Sequence, residues 1–389
     1  MEPFFEFEKP IATLEKKLQD LRDLSKNENV DLSKEVTSLE KKLSQLIDET
    51  YAKLSPWQRV QLSRHPSRPY TRDYVDALFP GFMELQGDRT FGEDQAILGG
   101  VAEWPPAGAT LKNGQERRSI LILGHQKGRS TKERMERNFG MAKPEGYRKA
   151  MRLMKLAERT RMPILTFIDT PGAYPGIEAE ERGQSQAIAE SIRMLFGLTV
   201  PVVAVVIGEG GSGGALAIGV ANKVLMQEYS YYSVIAPESC ASILWSDSRL
   251  AERAADRLKM SPTDLVRLGV VDGIISEPKG GAHRDWPEAF RLMRESLSQT
   301  FEPLLQGGWE TPEVTEVKPA AQSVKKSVSA KTKKAPAKSA AKSGAKTATQ
   351  PESCVTSPSA AALKLRQDRF DKFRAIGQKA IAHGMEMTD

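Results

Sequence analysis

An α/β fold built on a largely parallel sheet is what this 389-residue sequence predicts. Three observations carry the prediction. Helical and strand-like patterns alternate from Tyr147 onward, as they do in chains of βα units. The strand-like runs, Ser119 to Gly124, Pro163 to Ile168 and Pro201 to Ile207, are apolar on both faces, as expected of strands covered by helices on each side. Two glycine-rich turns, DTPGAYPG (Asp169 to Gly176) and GEGGSGG (Gly208 to Gly214), follow the C-terminal ends of strands, where open α/β sheets place ligands.

Residues 11 to 50 read as a helical hairpin. Ile11, Leu14, Leu18 and Leu21 form one stripe; Leu32, Val36, Leu39, Leu43 and Leu46 form another, in steps of 4, 3, 4, 3. The polar segment Ser25 to Asn29 is the expected break. Such narrow seams cover a core or meet a second copy or subunit, and their coiled-coil spacing favours the second role. Residues 55 to 95 are rich in Pro and Gly. His65, with no other metal-ligating residue at ligand spacing, reads as structural. Ala96 to Trp104 and Ser119 to Gly124 read as strands around a turn. The segment His125 to Arg137 then crowds Lys127, Arg129, Lys132, Arg134 and Arg137 together, as either a solvated face or a phosphate-facing patch.

The first repeated unit is a helix, Tyr147 to Thr160, with Ala150, Leu153, Met154 and Ala157 inward, followed by the strand at 163–168. A helix at Gln184 to Phe196 and the strand at 201–207 repeat it. A further helix and strand span Ala215 to Met226, then comes Ser233 to Ala236, and helices run to about Leu268. Beyond Trp309 the composition turns to Lys, Ala, Ser, Thr and Pro, which reads as a disordered linker. Leu363, Leu365, Phe370, Phe373 and Ile376 then restore a helical pattern for a short docking helix.

The net charge of +6 is misleading. Lys318 to Thr349 holds nine lysines and no acid, so the remainder of the chain carries −3. That tract is a soluble tether, or a basic arm for nucleic acid or another anionic surface. Two cysteines, Cys240 and Cys354, exclude a disulfide framework and a four-cysteine zinc site made by this chain alone. The opening MEPFFEFEKP lacks the basic region of a secretory signal, and no run approaches the ~18 apolar residues of a membrane span. The expected setting is cytoplasmic, without membrane insertion.

Four chemistries compete for the glycine cluster. Gly208-Glu-Gly-Gly-Ser-Gly213 fits a dinucleotide fingerprint, with Glu228 at the expected distance, but the helix after it is short and its strand is not the first of the sheet. No Gly-Lys-Ser/Thr follows, so it is not a P-loop. Lys155, beside Met154, is the nearest approach to a biotinyl-lysine, yet it falls on a helix. Ser212 fits a nucleophile elbow, but its histidine would have to be His283 or His383, neither in a persuasive setting. The fourth chemistry uses the backbone. Both turns can aim N–H groups at a single point, and such preorganised donors stabilise an oxyanion as it develops, which suits enolate chemistry on a thioester.

The runs TFIDTPGAYPG (Thr166 to Gly176), AEERGQSQAIAESI (Ala179 to Ile192) and VVAVVIGEGGSGGALAIGVANKV (Val202 to Val224), together with RHPSRPYTRDYV, GHQKGRSTKERMERNFGMAKPEGYRKAMRLM, YSVIAPESCASILW and EPKGGAHRD, closely resemble the α-subunit family of the acetyl-CoA carboxylase carboxyltransferase. The resemblance runs from about residue 4 to about 300. Only the lysine-rich tract departs from it, as an insertion before LRQDRFDKFRAIG (Leu365 to Gly377). It implies a crotonase-like (ClpP/crotonase) ββα superhelix at 34–300, preceded by the helical hairpin at 1–54. A disordered linker at 310–361 and a terminal helix at 362–389 complete the expected organisation. The implied reaction moves a carboxyl group from carboxybiotin to acetyl-CoA, forming malonyl-CoA. The biotin rides on a biotin carboxyl carrier protein, biotin carboxylase is a separate subunit, and a β subunit bearing a zinc ribbon joins this chain as α2β2 with shared sites. Two oxyanions arise, on the biotin ureido oxygen and on the acetyl-CoA enolate. The family's last glycine pair maps to Gly213 and Gly214 as one oxyanion hole. Gly172 and Ala173 are assigned to positioning in the same pocket, and Lys127, Arg129 and Lys132 to CoA phosphates or the partner.

Overall fold

The computed structural model describes residues 4–28, 31–109, 117–309, 313–314, 356–376 and 378. Two long helices open the chain, α1 (Lys9–Glu28) and α2 (Ser33–Ala52). They pack as the expected hairpin, but α1 runs straight through Ser25 to Glu28, so the break lies later than the polar segment suggested. Ser, Lys and Glu are adequate helix formers, and α1 ends on no glycine or proline. Only Ile11, Leu18, Ile47 and Tyr51 of the hairpin are buried; Ile11, Ile47 and Tyr51 pack with Leu54, Leu62 and Tyr229 of the body.

Two short helices follow, α3 (Pro56–Ser63) and α4 (Thr71–Leu78), then β1 (Met83–Glu84), β2 (Ile97–Trp104) and β3 (Arg118–His125). The antiparallel β1–β2–β3 edge leads into the parallel part of the sheet. After α5 (Thr131–Glu136) come α6 (Pro144–Thr160), β4 (Ile164–Thr170), α7 (Ile177–Glu181), α8 (Gln184–Gly197), β5 (Val202–Gly211), α9 (Ser212–Leu216), β6 (Lys223–Gln227) and β7 (Tyr231–Ser233). Helices α10 (Pro237–Trp245), α11 (Ala251–Leu258) and α12 (Pro262–Arg267) lead to β8 (Gly273–Ile275) and the long α13 (Trp286–Leu305). The sheet order is β1-β2-β3-β4-β5-β6-β8, parallel from β3 to β8, with β7 pairing only the end of β5.

Side chains alternate across each strand, so one run of apolar residues fills two cores. Leu121, Leu123, Ile164, Ile168, Val202 and Val206 face α6 and α8. Ile120, Ile122, Leu165, Phe167, Val203 and Val205 face α4 and α13. The four inward residues expected on α6 are all fully buried.

The last described segments of the chain differ from the expected organisation. Strand β9 (Glu313–Val314) pairs antiparallel with β10 (Thr356–Ser357), and α14 (Ala360–Ala375) starts at Ser359, whose hydroxyl accepts from the Ala362 N–H. The predicted linker at 310–361 is therefore paired near its start and already structured from 356. Its lysine tract lies outside the described residues. Helix α14 also begins earlier than 362 and is docked. Arg369 is wholly buried, donating to the carbonyls of Leu195 (2.5 Å), Leu198 (2.9 Å) and Val200 (2.8 Å) and to Asn222 Oδ1 (2.6 Å). Three of those carbonyls are left over at the end of α8 and in the loop after it, where no intrahelical donor reaches them. Among the described residues no helix is long and apolar enough to cross a membrane.

Candidate active site

The glycine cluster is not one turn. Strand β5 continues through Gly208 to Gly211, and Glu209 to Gly211 pair with Tyr231 to Ser233. Glycine permits this because a Cβ on Gly210 would sit 2.7 Å from the Tyr232 ring. The turn proper is Ser212, exposed and at φ +53°, a conformation that non-glycine residues seldom adopt.

The two glycine turns touch backbone to backbone. A Cβ on Gly211 would lie 2.0 Å from the Pro171 carbonyl oxygen. One on Gly214 would lie 2.5 Å from the Gly172 carbonyl carbon and 2.6 Å from the Ala173 nitrogen. Gly213 is different: a Cβ there meets only Ile188, at 3.5 Å. Within the first turn, the Gly172 N–H donates to the Thr170 hydroxyl (3.1 Å), which in turn donates to the Gly172 carbonyl (2.6 Å). Gly172 thus has its N–H occupied, and its peptide with Ala173 forms the surface against which Gly214 rests. Gly213 and Gly214 lie in the first turn of α9, whose N–H groups have no carbonyl one turn earlier in the helix to bond.

Behind the turns stands a buried charge network. Lys127 Nζ lies 2.8 Å from Asp169 Oδ1 and 2.6 Å from Glu209 Oε2. Asp169 Oδ1 also accepts the Glu209 N–H (3.0 Å). One ammonium therefore staples the first residue of one turn to the second residue of the other. Arg64 Nε donates to Glu209 Oε1 (2.6 Å), Tyr231 donates its hydroxyl to the same oxygen (3.0 Å), and the Arg64 guanidinium also reaches Glu238 at the start of α10. Burial alone would raise the Glu209 carboxyl; Lys127 and Arg64 outweigh it and hold the pKa at about 2. Burial disfavours charge on Lys127 too, yet Asp169 and Glu209 push its pKa upward. Beside this network, Arg64, Tyr70, Lys127, Arg134, Phe139 and Pro171 line a cavity of about 320 Å³.

These contacts correct the basic patch. Lys127 is neutralised within the chain. Arg129 is clamped between the rings of Tyr70 and Trp286, pairs with Asp73 and donates to the carbonyls of Pro66 (2.9 Å) and Arg68 (3.2 Å). Lys132 is the most open to solvent of the three, with Glu136 3.9 Å away. Lys127 and Arg129 both flank Tyr70, and each is already engaged by this chain's own acids or carbonyls. A spacing pattern reports that cations are near in sequence, while Asp169 and Glu209, which claim Lys127, stand 42 and 82 residues downstream.

Sequence reasoning missed His125. It is fully buried at the end of β3, against the backbone of Phe167 and Gly214, and burial lowers its pKa to about 3, so the ring is neutral. The rival chemistries find little support. His283 bonds Glu8 (3.2 Å), its ring 4.2 Å from that of His65, and His383 lies outside the described residues. Glu8, His65 and His283 are the one group of metal-ligating type among the described residues; Tyr51 also donates to Glu8 (2.6 Å), and together they pin the N-terminal segment to the body. Lys155 sits on α6 and not on a hairpin, and α9 is only five residues long.

The site is open on one side. Val234, immediately after β7, is 80% exposed, Ile243 and Leu244 of α10 are 73% and 62% exposed, and Ile177, just past the first turn, is 75% exposed. Large exposed apolar side chains of this kind are candidates for contact with a partner.

The family described as acetyl co-enzyme A carboxylase carboxyltransferase-like matches residues 4–316. The acetyl-coenzyme A carboxylase carboxyl transferase subunit alpha of Geobacter metallireducens is 52% identical over 299 residues, covering 77% of this chain and 90% of the relative. Its counterpart from Vibrio campbellii is 54% identical over 311 residues, covering 79% and 94%. Among solved structures, transcarboxylase 12S aligns with a TM-score of 0.48 at 17% identity, over 65% of this chain and 44% of that one. With relatives matched over nearly their whole length, the chain belongs to the acetyl-coenzyme A carboxylase carboxyltransferase α-subunit family, and its two glycine turns meet at the strand ends of an α/β fold.

Proposed function

We propose that this chain supplies one half of a carboxyltransferase active site, and that its backbone, not its side chains, performs the chemistry. The substrates are carboxybiotin, borne on a separate biotin carboxyl carrier protein, and acetyl-CoA; the product is malonyl-CoA for fatty acid synthesis. The observation that carries this reading is the direct packing of Gly214 on the Gly172–Ala173 peptide. It presents the N–H groups of Gly213 and Gly214 from a fixed platform. Donors that need not reorganise as charge develops lower the barrier by a few kcal/mol each. The N–H pair stabilises the oxygen that becomes negative when carboxybiotin yields its carboxyl group, and the Lys127 staple holds the two turns in register behind it. His125, neutral and buried, adds no charge that would compete for the oxyanion.

A β subunit completes the site on the face carrying Val234, Ile243 and Leu244, giving the α2β2 assembly, with any zinc on that partner and ATP use left to biotin carboxylase. The setting is cytoplasmic. The organisation proposed is the hairpin at 1–54, the carboxyltransferase domain at 34–300, and the lysine-rich insertion joined to the terminal helix. Gly214→Val, co-purified with a β subunit, should assemble normally and lose malonyl-CoA formation; near-normal turnover overturns the site. The chain alone should be inactive, and turnover without a β subunit overturns the shared-site reading.

A further inference from the structure

A strongly basic groove lies outside this site. Between the outer faces of α6 and α8 and the loop at 88–90 lies a groove of about 1010 Å³. Arg89, Arg148, Arg152, Lys155, Arg159 and Arg193 line it, against Asp88, Glu158 and Glu190. The local excess is three positive charges, in a chain that carries −3 outside its lysine tract.

The three acids also accept hydrogen bonds from the chain itself, while Asp88 keeps a charge interaction with Arg148 and Arg152. Asp88 Oδ1 accepts the N–H groups of Thr90, Phe91 and Gly92. Glu158 accepts from the Thr199 N–H and hydroxyl, and Glu190 from the Gln186 amide. Arg152 donates to the carbonyls of Gly87 (2.9 Å) and Gln86 (3.1 Å). Among the described residues, the side chains of Arg89, Lys155, Arg159 and Arg193 make no hydrogen bond or ion pair. Like charges are crowded at a cost: partial burial and the neighbouring Arg89 lower the Arg152 pKa. Folding tolerates such repulsion where an anion relieves it.

The groove has an apolar floor as well. Met151 and Leu198 are buried within it, and Met194 is half-buried. From Arg148 to Arg159 the α6 wall runs about 16 Å, at the usual rise of an α-helix. A pocket of this size with an apolar floor and a rim of guanidinium forks suits a ligand with a flat apolar body and several phosphates.

We propose that this groove binds a nucleoside polyphosphate, with the base on Met151 and Met194 and the phosphates between Arg159, Arg193, Lys155 and Arg89. Two sources share that chemistry: a free nucleotide, and the 3′-phosphorylated ADP head of coenzyme A. The inference stands apart from the carboxyltransferase reading, because CoA bound at the glycine turns would be unaffected by substitutions in this groove.

The test is isothermal titration of the full chain, alone and joined to a β subunit, with ADP, ATP, CoA and inorganic tripolyphosphate. The same titrations are run on Arg159→Gln/Arg193→Gln. Both side chains are exposed, so the fold should survive, as an unchanged melting temperature would show; Lys155→Gln is the second variant. Losing two charge-assisted contacts should weaken the nucleotides by about tenfold or more. Tighter binding of ATP or ADP than CoA points to a free nucleotide as the source, and the reverse to the CoA head; both support the proposal. Tripolyphosphate binding as tightly as the nucleotides overturns it, since no base is then read. Affinities that the double variant leaves unchanged also overturn it, because the lysine tract is then the binder. So does the absence of binding by every nucleotide probe.

Discussion

Replacing Gly214 by alanine adds one methyl group at the point where the two glycine turns meet. The new Cβ would stand 2.5 Å from the Gly172 carbonyl carbon, 2.6 Å from the Ala173 nitrogen and 2.9 Å from the Gly172 oxygen. Ordinary carbon contacts begin near 3.5 Å, and all three obstructing atoms are backbone, so no side chain can rotate away. The turns must therefore separate by about 1 Å, a displacement that costs an enzyme on the order of 100-fold in rate when it misplaces catalytic groups. Gly213→Ala is the matched control. Its Cβ meets Ile188 at 3.5 Å, an ordinary contact, and its N–H is retained. Steady-state malonyl-CoA formation by the variant chain with a β subunit and a carboxybiotin donor should show kcat down about 100-fold for Gly214→Ala and by less than about tenfold for Gly213→Ala. Overpacking should also lower the melting temperature of the first variant alone, for a loss of about 1–3 kcal/mol. If the two variants are equally impaired, or Gly213→Ala is the worse, the platform argument is wrong.

Three other perturbations test the surrounding structure. Lys127→Met leaves Asp169 and Glu209 facing each other without their shared cation and should destabilise the fold by about 3–5 kcal/mol in denaturant titration. Lys127→Met/Asp169→Asn, which restores the charge balance, should recover part of that loss, and no recovery would show that the staple is not electrostatic. The Glu209 pKa is lowered from 4.5 to about 2 on folding, so its contribution is fully present above about pH 4.5 and is lost as pH falls from 4.5 through 2. Glu209→Gln should flatten the stability curve in that acid window, and an unchanged slope would count against the network. Arg369→Met orphans three carbonyls and removes one of the bonds to Asn222 Oδ1, so limited proteolysis should cut within 360–375 much faster than in the wild type. Phe370→Ala, at a side chain already 42% exposed, should leave the cleavage rate nearly unchanged.

What was legible in advance was whatever depends on near neighbours along the chain. The apolar runs at 119–124, 163–168 and 201–207 became the buried strands β3, β4 and β5, and the inward face of α6 was read residue by residue. The glycine cluster was recognised as special, yet its division was not. Its first four residues extend a strand because Tyr232 and Pro171 approach them, and neither approach leaves a trace in local spacing. The helix break expected at 25–29 lies later than the polar segment suggests, because Ser, Lys and Glu carry a helix without tertiary support and nothing in Ser25 to Glu28 stops it.

The sequence by itself determined the α/β class, the two glycine-bearing strand ends and the family, because periodicity, backbone freedom and motif order are properties of consecutive residues. Only the tertiary structure decided that those turns touch, that Lys127 and Arg129 are already claimed by this chain's own acids and carbonyls, and that α14 is anchored through Arg369. A charge in a sequence has no partner until the chain folds. Whether it binds a substrate or holds a turn depends on which opposite charge, dozens of residues away, is buried within 3 Å of it.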